Sequence, residues 1–171
     1  MPKEEQSKRE ESSQFVVIQL AGEEYGIPIM NIETLIRMPE ITRVPRMPAY
    51  VEGIINLRGR IIPIIDLRKR FGFPTKAWDD RTRIAVTDIS QQSVGFIADG
   101  VSEVIRLARK QIDNLPPTLC RIGDEYLDGI GKVGDRIIIL LNAERILSET
   151  EQTQLKKTDL PGASACDKTQ Q

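Results

Sequence analysis

Residues 50–67 read YVEGIINLRGRIIPIIDL, and residues 126–143 read YLDGIGKVGDRIIILLNA. Each is a pair of aliphatic, β-branched runs around a short polar tip, the pattern of a β-hairpin. At a shift of 76, Tyr50-Val51-Glu52-Gly53-Ile54 matches Tyr126-Leu127-Asp128-Gly129-Ile130, and Arg60-Ile61-Ile62 matches Arg136-Ile137-Ile138. The agreement continues upstream at a shift of 69. There Gly26-Ile27 falls on Gly95-Phe96, Leu35-Ile36-Arg37-Met38 on Val104-Ile105-Arg106-Leu107, and Pro48 on Pro117. Seven extra residues within about 118–125 account for the change of shift. A unit of about 70 residues is therefore written twice: hairpin, helical turn, strand, proline turn, hairpin, helix.

Two copies are too few for a solenoid. Five short strands per copy, with glycine corners, predict a mainly β fold of two packed five-stranded barrels with short helices. The strands expected are 15–21, 24–30, VEGIINLRG, RIIPIIDL, 83–89, 93–99, 101–107, 128–134 and 136–142. Apolar Ile32, Leu35 and Ile36 predict a short helical turn within 31–38, ahead of a strand. ITRVPRMP at 41–48, with two prolines, reads as an edge strand running into a turn. A short helix is expected at about 66–71 with Asp66 as N-cap, and another at AERILS, with a loop over 71–80. The runs IIPII and IIILL do not alternate; strands of that kind are buried on both faces, which places them at the interface between barrels. Residues 1–13 and 149–171 are polar and form a flexible arm and tail around a folded unit at 14–148, its first copy about 14–82 and its second about 83–148.

The composition excludes several functions. The chain has no histidine and two cysteines, Cys120 and Cys166. That rules out a Ser-His-Asp device and any usual zinc site, so no metal is expected. The lone cysteine pair suits a reducing cytoplasm. No apolar run approaches the roughly 20 residues of a membrane span. The net charge of −1 gives no global attraction for nucleic acid. Charge is uneven, however: Arg37, Arg43, Arg46, Arg58, Arg60, Arg68, Lys69 and Arg70 face only Glu40, Glu52 and Asp66 in the same stretch, an excess that suits an acidic partner where it is not simply solvated.

Three features that suggest chemistry each have a simpler role. Gly129-Ile130-Gly131-Lys132-Val133-Gly134 fits a dinucleotide fingerprint by letter, but a strand follows it where the phosphate site needs a helix N-terminus, so it reads as a glycine-rich hairpin with no cofactor. Asp66, Asp88 and Asp99 read as helix cap, strand end and turn, with no nucleophile beside them, so no enzymatic activity is expected. A nucleic-acid barrel would interleave aromatics with basic residues; of Phe15, Tyr25, Tyr50, Phe71, Phe73, Trp78, Phe96 and Tyr126 most sit in core-like positions, and the nearest approach to the pattern, Phe71-Gly72-Phe73, lies after a helix rather than on a basic strand. That alternative predicts salt-dependent retention on heparin.

Taken in order, Glu24-Tyr25-Gly26-Ile27, Ile41-Thr42-Arg43-Val44-Pro45, the run Gly53 to Leu67, Asp99-Gly100-Val101-Ser102-Glu103-Val104 and Tyr126 to Gly131 resemble the chemotaxis coupling proteins of the CheW family over about residues 14–148. The resemblance implies a non-enzymatic cytoplasmic adaptor of two SH3-like barrels, monomeric when free. It would link the cytoplasmic tips of methyl-accepting chemoreceptors to the regulatory domain of the histidine kinase CheA, and so sit at the inner face of the membrane. A regulatory module of another two-component pathway is the nearby alternative. On this reading Ile32, Thr34, Ile36, Arg58, Gly59, Val104 and Ile105 line the receptor site, with Arg58 pairing a carboxylate or carbonyl through its fork of donors and Gly59 permitting the tight turn that aims it. Leu115, Pro116 and Thr118 are the candidates for the kinase contact. The tip Asn56, Arg58, Gly59 does not recur; Lys132, Gly134 and Asp135 stand in its place, so the repeated fold does not require it.

Overall fold

The computed structural model describes residues 12–115 and 126–147. The strands are β1 (Ser12–Leu20), β2 (Glu23–Pro28), β3 (Ile32–Arg37), β4 (Val51–Leu57), β5 (Arg60–Asp66), β6 (Arg83–Ile89), β7 (Gln92–Ala98), β8 (Gly100–Ala108), β9 (Ile112–Asp113), β10 (Leu127–Val133) and β11 (Arg136–Leu141). Two short helices, α1 (Leu67–Phe71) and α2 (Ala143–Ile146), follow β5 and β11. Both end the hairpin in the same way. Asp66 caps α1 by accepting from the Arg68 N–H, and Asn142 caps α2 by accepting from the Glu144 N–H. The Asp66 and Asn142 N–H groups donate back to the Tyr50 and Tyr126 carbonyls at 2.8 and 2.7 Å.

Two of the expected elements come out differently. The helical turn lies at Ile29–Asn31, and Ile32–Arg37 is a strand. Its β-branched Ile32, Thr34 and Ile36 find a ladder partner in β6, and pairing outweighs a helical spacing too short to form a stable helix. Residues 41–48 keep a single bridge, Thr42 to Ile54, because Pro45 and Pro48 have no N–H to continue it. At the N-terminus β1 begins at Ser12, and the strand therefore includes the last residues assigned to the arm.

The strands form two small barrels, one from a five-stranded sheet in the order β3-β6-β7-β5-β4 and one from a six-stranded sheet in the order β8-β1-β2-β11-β10-β9. The sixth strand of the latter, β9, has only two residues; the bridge at Thr42 holds the matching place in the first. Neither sheet is built from one copy of the repeat. The first copy's opening hairpin, β1-β2, pairs in parallel with β11 of the second copy (Leu140 opposite Gly26). The second copy's opening hairpin, β6-β7, pairs in parallel with β5 of the first (Ile64 opposite Gly95). The two junctions are equivalent under the repeat, so the copies exchange hairpins reciprocally.

Strand alternation then sorts the side chains into three apolar layers. Ile55, Ile62, Ile64, Ile84, Val86 and Ile97 fill the first barrel. Phe15, Val17, Leu107, Ile138 and Leu140 fill the second. The largest layer lies between them and takes the opposite faces of the same strands, including Val16, Ile18 and Leu20 of β1 and Ala85 and Ile89 of β6. The IIPII run is buried on both faces, as expected. In IIILL, Ile138 and Leu140 enter the barrel, Leu141 enters the shared layer, and Ile137 is 62% exposed. The shared layer is closed by Arg70, whose guanidinium lies 4.6 Å from the Tyr50 ring centre and 5.0 Å from that of its repeat counterpart Tyr126.

Candidate partner-docking site

At the tip of β4-β5 the last pair is Leu57 with Arg60, leaving Arg58 and Gly59 as a two-residue turn with φ of 53° and 84°. Two positive φ values are those of a type I′ turn, whose twist suits the hairpin. The Asn56 side-chain oxygen accepts from the Gly59 N–H at 2.8 Å and fixes the loop. Arg58 is exposed and has no ion-pair or hydrogen-bond partner among the described residues. A left-handed arginine costs about 1 kcal/mol relative to glycine. The second copy has Gly134 at that position with φ of 59°, so the turn itself is served by glycine and does not need an arginine.

The residue behind each tip does have a structural task. Arg60 donates to Glu33 of β3 (3.2 Å) and to the Ser93 hydroxyl of β7, which in turn donates to Glu33 at 2.7 Å. Its counterpart Arg136 holds Glu24 of β2 through two nitrogens, at 3.2 and 2.5 Å, and Glu103 of β8 at 2.7 Å. Bonding to Glu24, and then to Glu103, raises the Arg136 pKa further. Ser93 and Glu24 are repeat equivalents. Each arginine thus clasps its own copy's closing hairpin to the other copy's opening hairpin.

The remaining receptor-site candidates lie on β3 and β8, which end the two sheet orders and correspond to each other in the repeat. Both carry a bulge at the matching place, between Ile32 and Thr34 on β3 and opposite Val17 and Ile18 on β8. The candidates divide by face. Ile36 packs on the first barrel's core and Ile105 on the second's, while Ile32 packs on the shared layer. Those three have structural roles. Thr34 is exposed, and Val104 is 51% exposed. Leu35, which was not among the sequence candidates, is 38% exposed. Leu35 lies opposite Ala85 and Val104 opposite Val16, and both partners belong to the shared layer. Leu35 and Val104 therefore carry that layer out to its rim. Their match in the repeat was the signal for Leu35; the bulge, which decides the face, had no signal in the sequence.

The basic stretch also divides. Arg60, Arg68, Lys69 and Arg70 are engaged internally, with Glu33, Asp99, Glu52 and the Ile146 carbonyl. Arg37, Arg43, Arg46 and Arg58 have no such partner among the described residues. Of the kinase-contact candidates, Leu115 is half-buried at the end of the described stretch. Pro116 and Thr118 lie outside the described residues, as do Cys120, Cys166, the tail and residues 1–11 of the arm.

The three carboxylates considered for acid–base chemistry do not form a set. Asp66 caps α1, and burial pushes its pKa up. Asp99 receives the forked guanidinium of Arg68 at 2.8 and 2.6 Å and the Ala21 N–H at 2.9 Å. The bond from Arg68 holds it below the usual carboxylate range. Asp88 is an exposed residue of β6. Gly131, in the glycine-rich run, is explained by packing: a Cβ there would meet the Leu107 side chain at 2.5 Å. Phe15, Tyr25 and Phe96 are buried, and Phe71 stacks between Tyr25 and Tyr126, so these rings are used in packing.

The comparisons with known proteins agree with this architecture. A CheW-like domain family model matches residues 14–151. The chain is similar to the chemotaxis protein CheW of Klebsiella aerogenes, at 38% identity over 81% of this chain and 83% of that protein. It is 39% identical to the chemotaxis protein CheW of Helicobacter pylori over 84% of this chain and 87% of that one. In structure it is similar to the scaffolding protein TtCheW of Thermoanaerobacter tengcongensis, with a TM-score of 0.74 and 38% identity over 80% of this chain and 92% of that one. With nearly the whole folded span matched in order, the chain belongs to the CheW family.

Proposed function

We propose that the protein is a chemotaxis adaptor that couples methyl-accepting chemoreceptors to the histidine kinase CheA and catalyses no reaction itself. The observation that carries this reading is the match to chemotaxis CheW proteins over almost the entire folded span. The receptor's cytoplasmic tip docks on the rim of the shared layer, where Leu35, Thr34 and Val104 are exposed, with the Arg58-Gly59 tip supplying a forked cationic donor. Ile32, Ile36 and Ile105 act from beneath, by fixing the two edge strands. The kinase's regulatory domain is taken by the segment of Leu115, Pro116 and Thr118, of which Leu115 is described and half-buried. No described helix is long and apolar enough to cross a membrane; on this reading the protein reaches the inner face of the membrane through the receptors.

Titration with a receptor tip fragment and with the isolated CheA regulatory domain tests the proposal. Both are expected to bind. Arg58→Glu is expected to weaken receptor binding roughly tenfold with an unchanged melting curve. Binding to neither partner overturns the adaptor role, and undiminished receptor binding by the variant removes Arg58 from the site.

A further inference from the structure

The strand junctions that assemble the two barrels all join one copy of the repeat to the other. The hairpin β1-β2 pairs with β8 and β11, both of the second copy. The hairpin β6-β7 pairs with β3 and β5, both of the first. Within a copy the described strands pair only as β1-β2 and β4-β5 in the first, and as β6-β7, β9-β10 and β10-β11 in the second. Side-chain bonds cross in the same way. Arg68 of the first copy holds Asp99 of the second, Arg70 holds the Ile146 carbonyl, Arg60 reaches Ser93, and Arg136 reaches back to Glu24. Neither copy closes a barrel by itself; the association of the two builds the molecule.

Residues 72–82 are the covalent link between the copies, from the end of α1 at Phe71 to the start of β6 at Arg83. Each end of this linker is anchored to its own copy. The Phe73 N–H donates to the Arg68 carbonyl at 2.7 Å, and the Arg68 guanidinium donates to the Pro74 carbonyl at 2.7 Å. At the other end the Thr82 N–H donates to the Asp79 carbonyl at 3.1 Å, and Arg83 donates to the Asp80 carbonyl at 2.6 Å. Between these anchors Thr75, Lys76, Ala77 and Trp78 are exposed. Lys76 pairs with Asp79 inside the linker, and no hydrogen bond or ion pair ties these four residues to either barrel among the described residues.

We infer that the chain has a second assembled state, a dimer in which two molecules of this protein exchange copies of the repeat through an opened hinge at residues 75–78. In it the first copy of one chain takes the second copy of the other. The junctions β1-β8, β2-β11, β3-β6 and β5-β7 re-form with the same partners, residue for residue, and only the hinge changes conformation. Exchange of an identical element is a low-cost route to dimers, and repeat proteins are prone to it. Concentration sets the balance. A short flexible linker holds the copies at an effective concentration on the order of millimolar, so the monomer is the form in dilute solution. Opening the hinge requires the shared layer and all of these junctions to part, so each form persists once made. The dimer holds two complete pairs of barrels joined by two linkers, and it presents every surface of the monomer twice. The inference depends on the strand pairing and not on the adaptor reading.

The test refolds the full chain from urea at about 10 μM and at about 1 mM protein and measures mass by light scattering. Monomer is expected at the lower concentration, and a dimer fraction roughly tenfold larger or more at the higher. The dimer should survive dilution of about a hundredfold, and a second urea cycle at low concentration should return it to monomer. A variant with a sequence-specific protease site inserted between Ala77 and Trp78 identifies the exchange. Cutting both linkers should halve the mass of the dimer with circular dichroism unchanged, because each half is then a complete pair of barrels. Deleting residues 75–78 shortens the reach of the linker by up to about 14 Å and should move the chain to dimer at the lower concentration. Monomer alone under all these conditions overturns the inference. A dimer that dissociates on dilution, or that keeps its mass when its linkers are cut, overturns exchange in favour of contact between intact surfaces. Where the shortened chain does not fold, refolding of the full-length chain decides.

Discussion

Gly53 has a φ of 152°, and a Cβ built on it would collide with the Thr42 carbonyl oxygen that accepts from the Ile54 N–H at 2.8 Å. Gly59 has a φ of 84° but open space around it. Alanine at the two sites therefore separates collision from conformation. Gly53→Ala is expected to cost about 3 kcal/mol or more, and Gly59→Ala about 1 kcal/mol, read as shifts in the urea midpoint. Asp99 gives a second test at this scale. Its folded pKa is depressed, first by the bond from Arg68, so its contribution is fully present above the unfolded value near 3.8 and is lost as pH falls through the lower folded value. Wild type should exceed Asp99→Asn in stability at neutral pH, and the gap should close in acid below that value. A gap that stays constant with pH would show that the ion pair is not its source.

At the scale of the element, the arginine clasps explain why two otherwise short hairpins hold their places. Arg60 and Arg136 each sit at the first residue of a closing strand and reach an acid on β3 or β8. Both are substantially exposed, so salt screens them. Arg136→Ala should lower the melting temperature, and the difference from wild type should narrow in about 1 M salt. The same element scale explains the misplaced helical turn at 31–38. Ile32, Leu35 and Ile36 fit a helical spacing, yet β6 offered a full ladder, and the bulge at Ile32–Thr34 set which side chains face the shared layer. That bulge is why Leu35 rather than Ile36 belongs to the exposed site.

At the scale of the whole molecule, the exchange of hairpins ties the barrels into one cooperative unit. All five strands of the first barrel lie within residues 32–98, yet that segment alone would expose the shared-layer residues Val51, Ile65, Leu67, Ala85, Ile89 and Phe96. It is expected to be insoluble or unfolded. The full chain should unfold in urea in a single step, with Trp78 fluorescence and far-ultraviolet circular dichroism giving coincident curves. Separate transitions would mean that the shared layer does not couple the two barrels.

The sequence alone determined the β class, the repeat, most strand positions and the Asp66 cap, because alternation, turn residues and capping act over a few neighbouring residues. It also marked YVEGIINLRGRIIPIIDL as the hairpin whose tip the second copy lacks. Tertiary structure alone decided that the copies trade opening hairpins, since Gly26 and Gly95 find their parallel partners more than 100 and about 30 residues away respectively, beyond any local signal. It also decided which face each edge-strand residue shows, because a single bulge shifts the alternation by one. Those two long-range choices separate Ile32, Ile36 and Ile105, which pack on the apolar layers, from Leu35 and Val104, which the same strands leave exposed.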